Sequence, residues 1–81
     1  MKPFERLISG QADTNFHFSD LRSILFAIGF QERINGSHHI FFHDSISEIL
    51  NLQPKGAMAK PYQVKQVRRL ILKYGWEINP Q

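Results

Sequence analysis

Apolar positions in the first half of the chain recur with a helical spacing. From Leu21 to Ile28 they fall at i, i+3, i+4 and i+7, which is the stripe that one face of an α-helix presents. Ser19 is placed to cap this helix at its N-terminus. Gly29 follows the last apolar position, where a left-handed residue commonly ends a helix. The pattern therefore predicts a helix between Ser19 and Gly29.

The next stretch changes to patterns that are typical of strands. Residues 30–34 form a short stretch that begins and ends with an apolar residue, and residues 37–43 are rich in aromatic and branched side chains. Two strands are therefore predicted. Asn35-Gly36 between them is the strongest two-residue signal for a hairpin turn. Residues 46–52 fit either a helical turn or a strand, and we prefer a third strand.

A second helix is predicted to begin at or just after Pro61, where the missing N–H of proline costs nothing, and to end at Gly75. One face of it carries the apolar residues Val64, Val67, Ile71 and Tyr74. At ~100° per residue, the basic side chains cluster roughly opposite, at Lys65, Arg68, Arg69 and Lys73.

Three segments follow from these elements. Residues 1–15 are expected to be an N-terminal extension with one short helix around Leu7 that ends at Gly10, and residues 77–81 a C-terminal tail. Residues 16–76 form the domain. The order helix, strand, strand, strand, helix predicts an α+β fold with both helices on one face of a three-stranded antiparallel sheet.

Composition narrows the class of protein. The 81 residues allow one domain with a thin core, and the absence of cysteine excludes disulfides and thiolate metal sites. No apolar run approaches the ~18–20 residues that span a bilayer, and the N-terminus lacks the features of a signal peptide. We therefore expect a cytoplasmic protein without a membrane anchor.

Charge is distributed unevenly along the chain. The net charge is +3, and none of the seven acidic residues lies between Ile49 and Trp76. That stretch holds all of the candidate phosphate-binding residues, which are Lys55, Lys60, Lys65, Arg68 and Arg69. An electropositive end favours a polyanionic partner such as RNA, although a solvated basic surface is the ordinary alternative.

The segment Gly36-Ser37-His38-His39 at the predicted hairpin is the sharpest candidate for chemistry. A histidine held beside a turn is fixed yet exposed, and its near-neutral pKa in model compounds suits proton transfer. With RNA as the ligand, it could take the proton of a 2′-hydroxyl, whose oxygen then attacks the adjacent phosphorus. The alternative is that both histidines are ordinary strand residues.

Two other chemical readings are disfavoured. His38 and His39 are neighbours on a strand and point to opposite faces, so they cannot easily share a metal ion, and no metal or other cofactor is expected. A serine hydrolase built on Ser37 lacks a visible nucleophile elbow and a supporting acid.

Residues 19–74 resemble the HicA (YcfA-like) family of toxins from toxin–antitoxin systems. The resemblance is carried by the helix leading to Gly29-Phe30, by Arg33 followed by Gly36-Ser37-His38-His39-Ile40-Phe41, and by the helix after Lys60-Pro61-Tyr62-Gln63-Val64. The long N-terminal segment and Phe42 depart from the family pattern.

The resemblance implies a double-stranded-RNA-binding-domain-like α-β-β-β-α fold and endoribonuclease activity of the mRNA interferase type. It implies His38 as the catalytic residue, supported by Gly36, Ser37 and His39, and a HicB-like antitoxin as the protein partner. The alternatives left open are a non-catalytic RNA-binding module of the same fold and a protein-interaction domain with an acidic partner.

Overall fold

The computed structural model describes residues 2–78, which form three helices and one sheet. In chain order the elements are α1 (Pro3–Ser9), α2 (Phe18–Ile28), β1 (Gln31–Asn35), β2 (His38–Phe42), β3 (Leu50–Leu52) and α3 (Pro61–Tyr74). The sheet is antiparallel with the order β1-β2-β3. The predicted α+β class and three-stranded antiparallel sheet are confirmed, with α1 preceding the expected order. Of the predicted tail, residues 79–81 lie outside the described residues.

Helix α2 starts earlier than the sequence predicts. Its N-cap residue is His17, which makes no side-chain capping bond, and Ser19 lies inside the first turn. The prediction of Ser19 as the cap is therefore wrong. Tertiary structure sets the start, because the N–H of Phe18 donates to the carbonyl of Ala57 and the Phe18 ring is buried.

The end of α2 follows the prediction. Gly29 has a φ of 112°, and a Cβ atom there would lie 3.1 Å from Nε2 of His43. Both the backbone conformation and the close approach of this ring therefore favour glycine.

The hairpin turn is shifted by one residue from the predicted Asn35-Gly36. Asn35 still pairs with His38, so Gly36 and Ser37 are the two turn residues. The φ of Gly36 is 63°, and no described residue other than glycine has a positive φ. This combination excludes a type I′ turn, which needs two positive φ values, and fits a type II′ turn with glycine first.

The third strand is shorter than predicted. Only residues 50–52 pair with β2, where Leu50 lies opposite Phe41 and Leu52 lies opposite His39. The N–H of Ile46 bonds instead to the carbonyl of His43, so a turn takes up the start of the predicted strand.

The core lies between one face of the sheet and the helices. Phe41, Leu50 and Leu52 from the sheet are buried together with residues of all three helices, which include Leu7, Leu21, Leu25, Val64 and Val67. The side chain of Ile71 is also buried, as predicted, but Tyr74 is 38% exposed, whereas Leu70 is buried. Of the helices in residues 2–78, none has the length and apolar character needed to cross a bilayer.

The N-terminal segment belongs to this core. Leu7 is fully buried, and the carboxylate of Asp13 pairs with Arg68 of α3. Burial of a leucine side chain contributes about 2 kcal/mol. Residues 2–15 therefore support the domain and are more than an appendage to it.

Candidate functional site

Strand alternation separates the two adjacent histidines. His39 shares the covered face with Phe41, whereas His38 points to the opposite side. We call this opposite side the open face. By register it comprises Gln31, Arg33, Asn35, His38, Ile40, Phe42 and Asn51.

His38 is exposed at the turn end of β2, and a side chain of the neighbouring strand holds it. Its Nδ1 atom lies 2.9 Å from Oδ1 of Asn51. Because an amide oxygen only accepts hydrogen bonds, Nδ1 carries the hydrogen in this arrangement, and neutral imidazole then has its lone pair on Nε2. The geometry can therefore present a proton acceptor to a ligand on the open face.

His39 lies in a network on the covered face. Its Nδ1 atom is 2.7 Å from Glu32 Oε2, and Arg22 donates two bonds to the same carboxylate, at 2.9 and 2.6 Å. The ring packs edge-on against Phe18, with 4.8 Å between the ring centroids. This network ties the sheet to α2, which gives His39 a structural function.

The charge of Glu32 depends on these partners. Burial raises the pKa of its carboxyl, but hydrogen bonds from Arg22 and His39 outweigh this effect and leave the pKa below its usual range. The carboxyl of Glu32 is therefore ionised, and its negative charge is paired within the network.

The turn is joined to the loop that follows β3. Ser37 Oγ accepts a hydrogen bond of 3.0 Å from Nε2 of Gln53. The side-chain amide of Gln63, oriented to satisfy both groups, bonds to the backbone N–H and C=O of Gln53, each at 3.1 Å. The N-terminal end of α3 is thereby held near the hairpin turn.

Two of the predicted phosphate-binding lysines lie in this loop. Lys55 pairs with Met58 through the backbone, Met58 bridges to His17, and the N–H of Ala59 bonds to Phe16. Within residues 2–78, neither Lys55 nor Lys60 has an ion-pair partner. The structure therefore brings two available cations to the end of the molecule that carries the turn.

The basic side chains of α3 lie in different environments. Arg68, expected on a free basic face, instead donates to both carboxylate oxygens of Asp13, at 2.7 and 2.9 Å, and to the carbonyl of Leu7. The expectation that Arg68 lies on a free basic face is therefore wrong. The N-terminal segment supplies a buried acid beside Arg68, and the spacing of residues in the sequence could not predict this contact.

The remaining cations of α3 lie along its outer surface. Lys65 is exposed near the N-terminal end, and Arg69 lines a shallow groove with Glu48. At 1.5 Å per residue, Arg69 is ~12 Å beyond Pro61 along the helix axis, away from the turn. Lys73 pairs with Glu48 at 2.7 Å.

Sequence reasoning missed Asn51 and Gln53 as supports of the hairpin. The polar residue in Leu50-Asn51-Leu52 is the one signal for Asn51, since it faces away from the core whenever its two neighbours face inwards. Nothing in the sequence pairs Gln53 with Ser37. In the part of the chain that the structure describes, no three His, Cys, Asp or Glu residues are grouped to hold a metal ion.

The chain matches no protein-family model, and comparisons with curated proteins and with solved structures found no significant similarity.

Proposed function

We propose that the chain is an RNA-binding endoribonuclease of the HicA type that uses His38 as its general base. The observation that carries this proposal is the exposed His38 ring held by Asn51, with Nε2 available to accept a proton. The finer description of the fold as double-stranded-RNA-binding-domain-like belongs to the same proposal, and the helices on one face of the sheet support it.

The proposed reaction needs groups of the chain, the RNA and water. Nε2 of His38 takes the proton of a 2′-hydroxyl, and the 2′-oxygen forms a bond to the adjacent phosphorus. The bond from phosphorus to the 5′-oxygen breaks, water protonates that oxygen, and the hydroxide that results takes the proton back from Nε2 of His38. The products are a 2′,3′-cyclic phosphate and a free 5′-hydroxyl.

Cations beside the turn stabilise the charge on phosphorus. Lys55 and Lys60 reach the phosphates next to the cleaved bond, and Lys65 extends the track along α3. Arg68 is left out because Asp13 holds its guanidinium. Arg69 is also left out, because it lies ~12 Å beyond Pro61 along the axis of α3, away from the turn. A HicB-like antitoxin, as the resemblance suggests, would neutralise the activity by covering His38.

A non-catalytic RNA-binding module is the second candidate, and one observation favours it. His38 is the only imidazole on the open face, which carries no carboxylate, so no second side chain there is suited to protonate the leaving oxygen. This candidate predicts salt-sensitive RNA binding without products.

RNA cleavage in EDTA distinguishes the two. Wild type, His38→Ala and His17→Ala are purified identically, and His17→Ala is the matched control because His17 is also exposed. We expect wild type and His17→Ala to cut RNA but not its 2′-O-methyl form, and His38→Ala to bind without cutting. Cleavage by His38→Ala at the wild-type rate would refute the assignment, and binding without cleavage by all three would favour the module.

A further inference from the structure

The open face carries an unneutralised cation at its centre. Arg33 lies in the middle of β1, opposite Ile40, and its side chain is exposed. Arg33 has no ion pair within residues 2–78, whereas Arg6, Arg22 and Arg68 are paired.

No member of the open face is acidic. The one carboxylate bonded to it among the described residues belongs to Asp44, which accepts from Gln31 at the end far from the turn. The charge of Arg33 is therefore not opposed by an acidic residue of the face, which suits an anionic ligand.

Apolar surface lies beside this cation. Ile40 and Phe42 are half-buried and occupy alternate positions of β2, in line with His38. At ~3.3 Å per residue, Phe42 is ~13 Å from His38 along the strand. A flat apolar surface beside a cation suits a nucleotide, because the ring can stack a base while the guanidinium holds a phosphate.

This composition favours single-stranded RNA over a duplex. An A-form duplex presents phosphates and 2′-hydroxyls but keeps its bases stacked, so an aromatic ring on a sheet cannot reach a base face. A ligand positioned for Nε2 of His38 must also approach the side of the sheet that the helices leave uncovered.

We propose that the open face is a platform for single-stranded RNA, on which Arg33 binds a backbone phosphate and Phe42 stacks a base of the strand that leads to His38. This inference rests on the proposed function and names the form of its substrate. In this proposal the platform and the lysines of the loop have separate functions. The platform binds the RNA on one side of His38, and the lysines bind the RNA on the other side.

Binding of an uncleavable probe tests the platform. The probe is a 2′-O-methyl oligonucleotide of about ten nucleotides, within the ~4–16 that one small single-strand-binding fold covers. Fluorescence anisotropy compares wild type with Arg33→Ala, Phe42→Leu and Arg69→Ala, and the same probe is offered as a duplex. Arg69→Ala is the matched control because Arg69 is an exposed arginine on the helical side, also without an ion pair in residues 2–78.

We expect Arg33→Ala to weaken binding about fivefold and to reduce the slope of log affinity against log salt by about 0.7, the value for one phosphate contact. Phe42→Leu keeps apolar volume but removes the ring, and should weaken binding about fivefold or more. Arg69→Ala should match wild type, and the duplex should bind more weakly than the single strand.

Three outcomes would overturn the platform. They are tighter binding of the duplex, an effect of Arg33→Ala no larger than that of Arg69→Ala, and normal binding by both open-face variants. If Phe42→Leu proves unstable by thermal unfolding, the exposed Arg33 still decides the question. Normal cleavage that depends on His38, combined with unaffected open-face variants, would refute the platform alone, whereas wild type that binds no RNA would refute the proposed function as well.

Discussion

Nδ1 of His38 and Oδ1 of Asn51 lie 2.9 Å apart across neighbouring strands, on the side of the sheet away from the core. This contact restricts both the rotation and the tautomer of the imidazole. A histidine without this hydrogen bond would lose more conformational entropy on reaching a reactive geometry. The Asn51 amide therefore preorganises the imidazole ring.

Asn51→Ala should slow cleavage about tenfold while leaving RNA binding intact. The expected loss is that of one hydrogen bond worth ~1.4 kcal/mol in the transition state. Single-turnover rates with saturating protein measure it, and Asn15→Ala, which changes an exposed asparagine in a loop, serves as the control. An unchanged rate for Asn51→Ala would show that His38 needs no orientation from this side chain.

His39→Ala should act on stability rather than on chemistry. The substitution removes one of the two hydrogen bonds to Oε2 of Glu32 and removes the ring that packs against Phe18, so we expect the free energy of unfolding to fall by about 1–2 kcal/mol. Urea unfolding measures this loss. The cleavage rate per folded molecule should stay within a few-fold of wild type, and a fully folded His39→Ala protein without activity would show that His39 is needed for the reaction as well as for stability.

Asp13→Asn should make the protein less stable at neutral pH and less sensitive to acid. The hydrogen bond from Arg68 is the main cause that lowers the pKa of Asp13, and it outweighs the opposing effect of burial. Because the pKa in the folded state lies below that in the unfolded state, the stabilisation is complete above the unfolded value. It is lost as the pH falls through the folded value.

The cost of Asp13→Asn is therefore expected to be about 2 kcal/mol at pH 7, and to shrink below about pH 4. Urea unfolding of both proteins at about pH 7 and about pH 3 checks this expectation. A difference that stays constant over this range would mean that the carboxylate contributes no charge-dependent stability.

The double variant Lys55→Gln/Lys60→Gln should bind RNA with a shallower dependence on salt. Two lost phosphate contacts reduce the slope of log affinity against log salt by about 1.4. The control is the double variant Lys2→Gln/Arg69→Gln. It also removes two positive charges from exposed residues, but these residues lie away from the turn. Equal changes in both double variants would indicate attraction by net charge alone.

Local periodicity predicted most of the fold. The stripe from Leu21 to Ile28, Gly29 and Gly75 are local signals, and the structure confirms the helices that they delimit. The errors occur where distant contacts override these signals. Docking of Phe18 against Ala57 moves the start of α2, and a type II′ turn takes Gly36-Ser37 in preference to Asn35-Gly36.

The sequence predicted which residue types form the candidate site, but it did not predict which side chains hold them in place. The position of His38 beside a turn follows from the hairpin, yet which face it occupies depends on register, and a shift of one residue would exchange it with His39. The pairing of Arg68 with Asp13 joins residues 55 positions apart, and no local pattern encodes such a distance.

The pairing of Arg68 with the N-terminal segment has a consequence for the order of assembly. Asp13 and Leu7 are synthesised before their partner Arg68, which follows 55 and 61 residues later, respectively. Contacts of such long sequence separation carry a loop-closure cost that slows folding. The contacts of this segment with α3 therefore form only after α3 has been made, and until then the nascent chain leaves the α3 side of Leu7 uncovered.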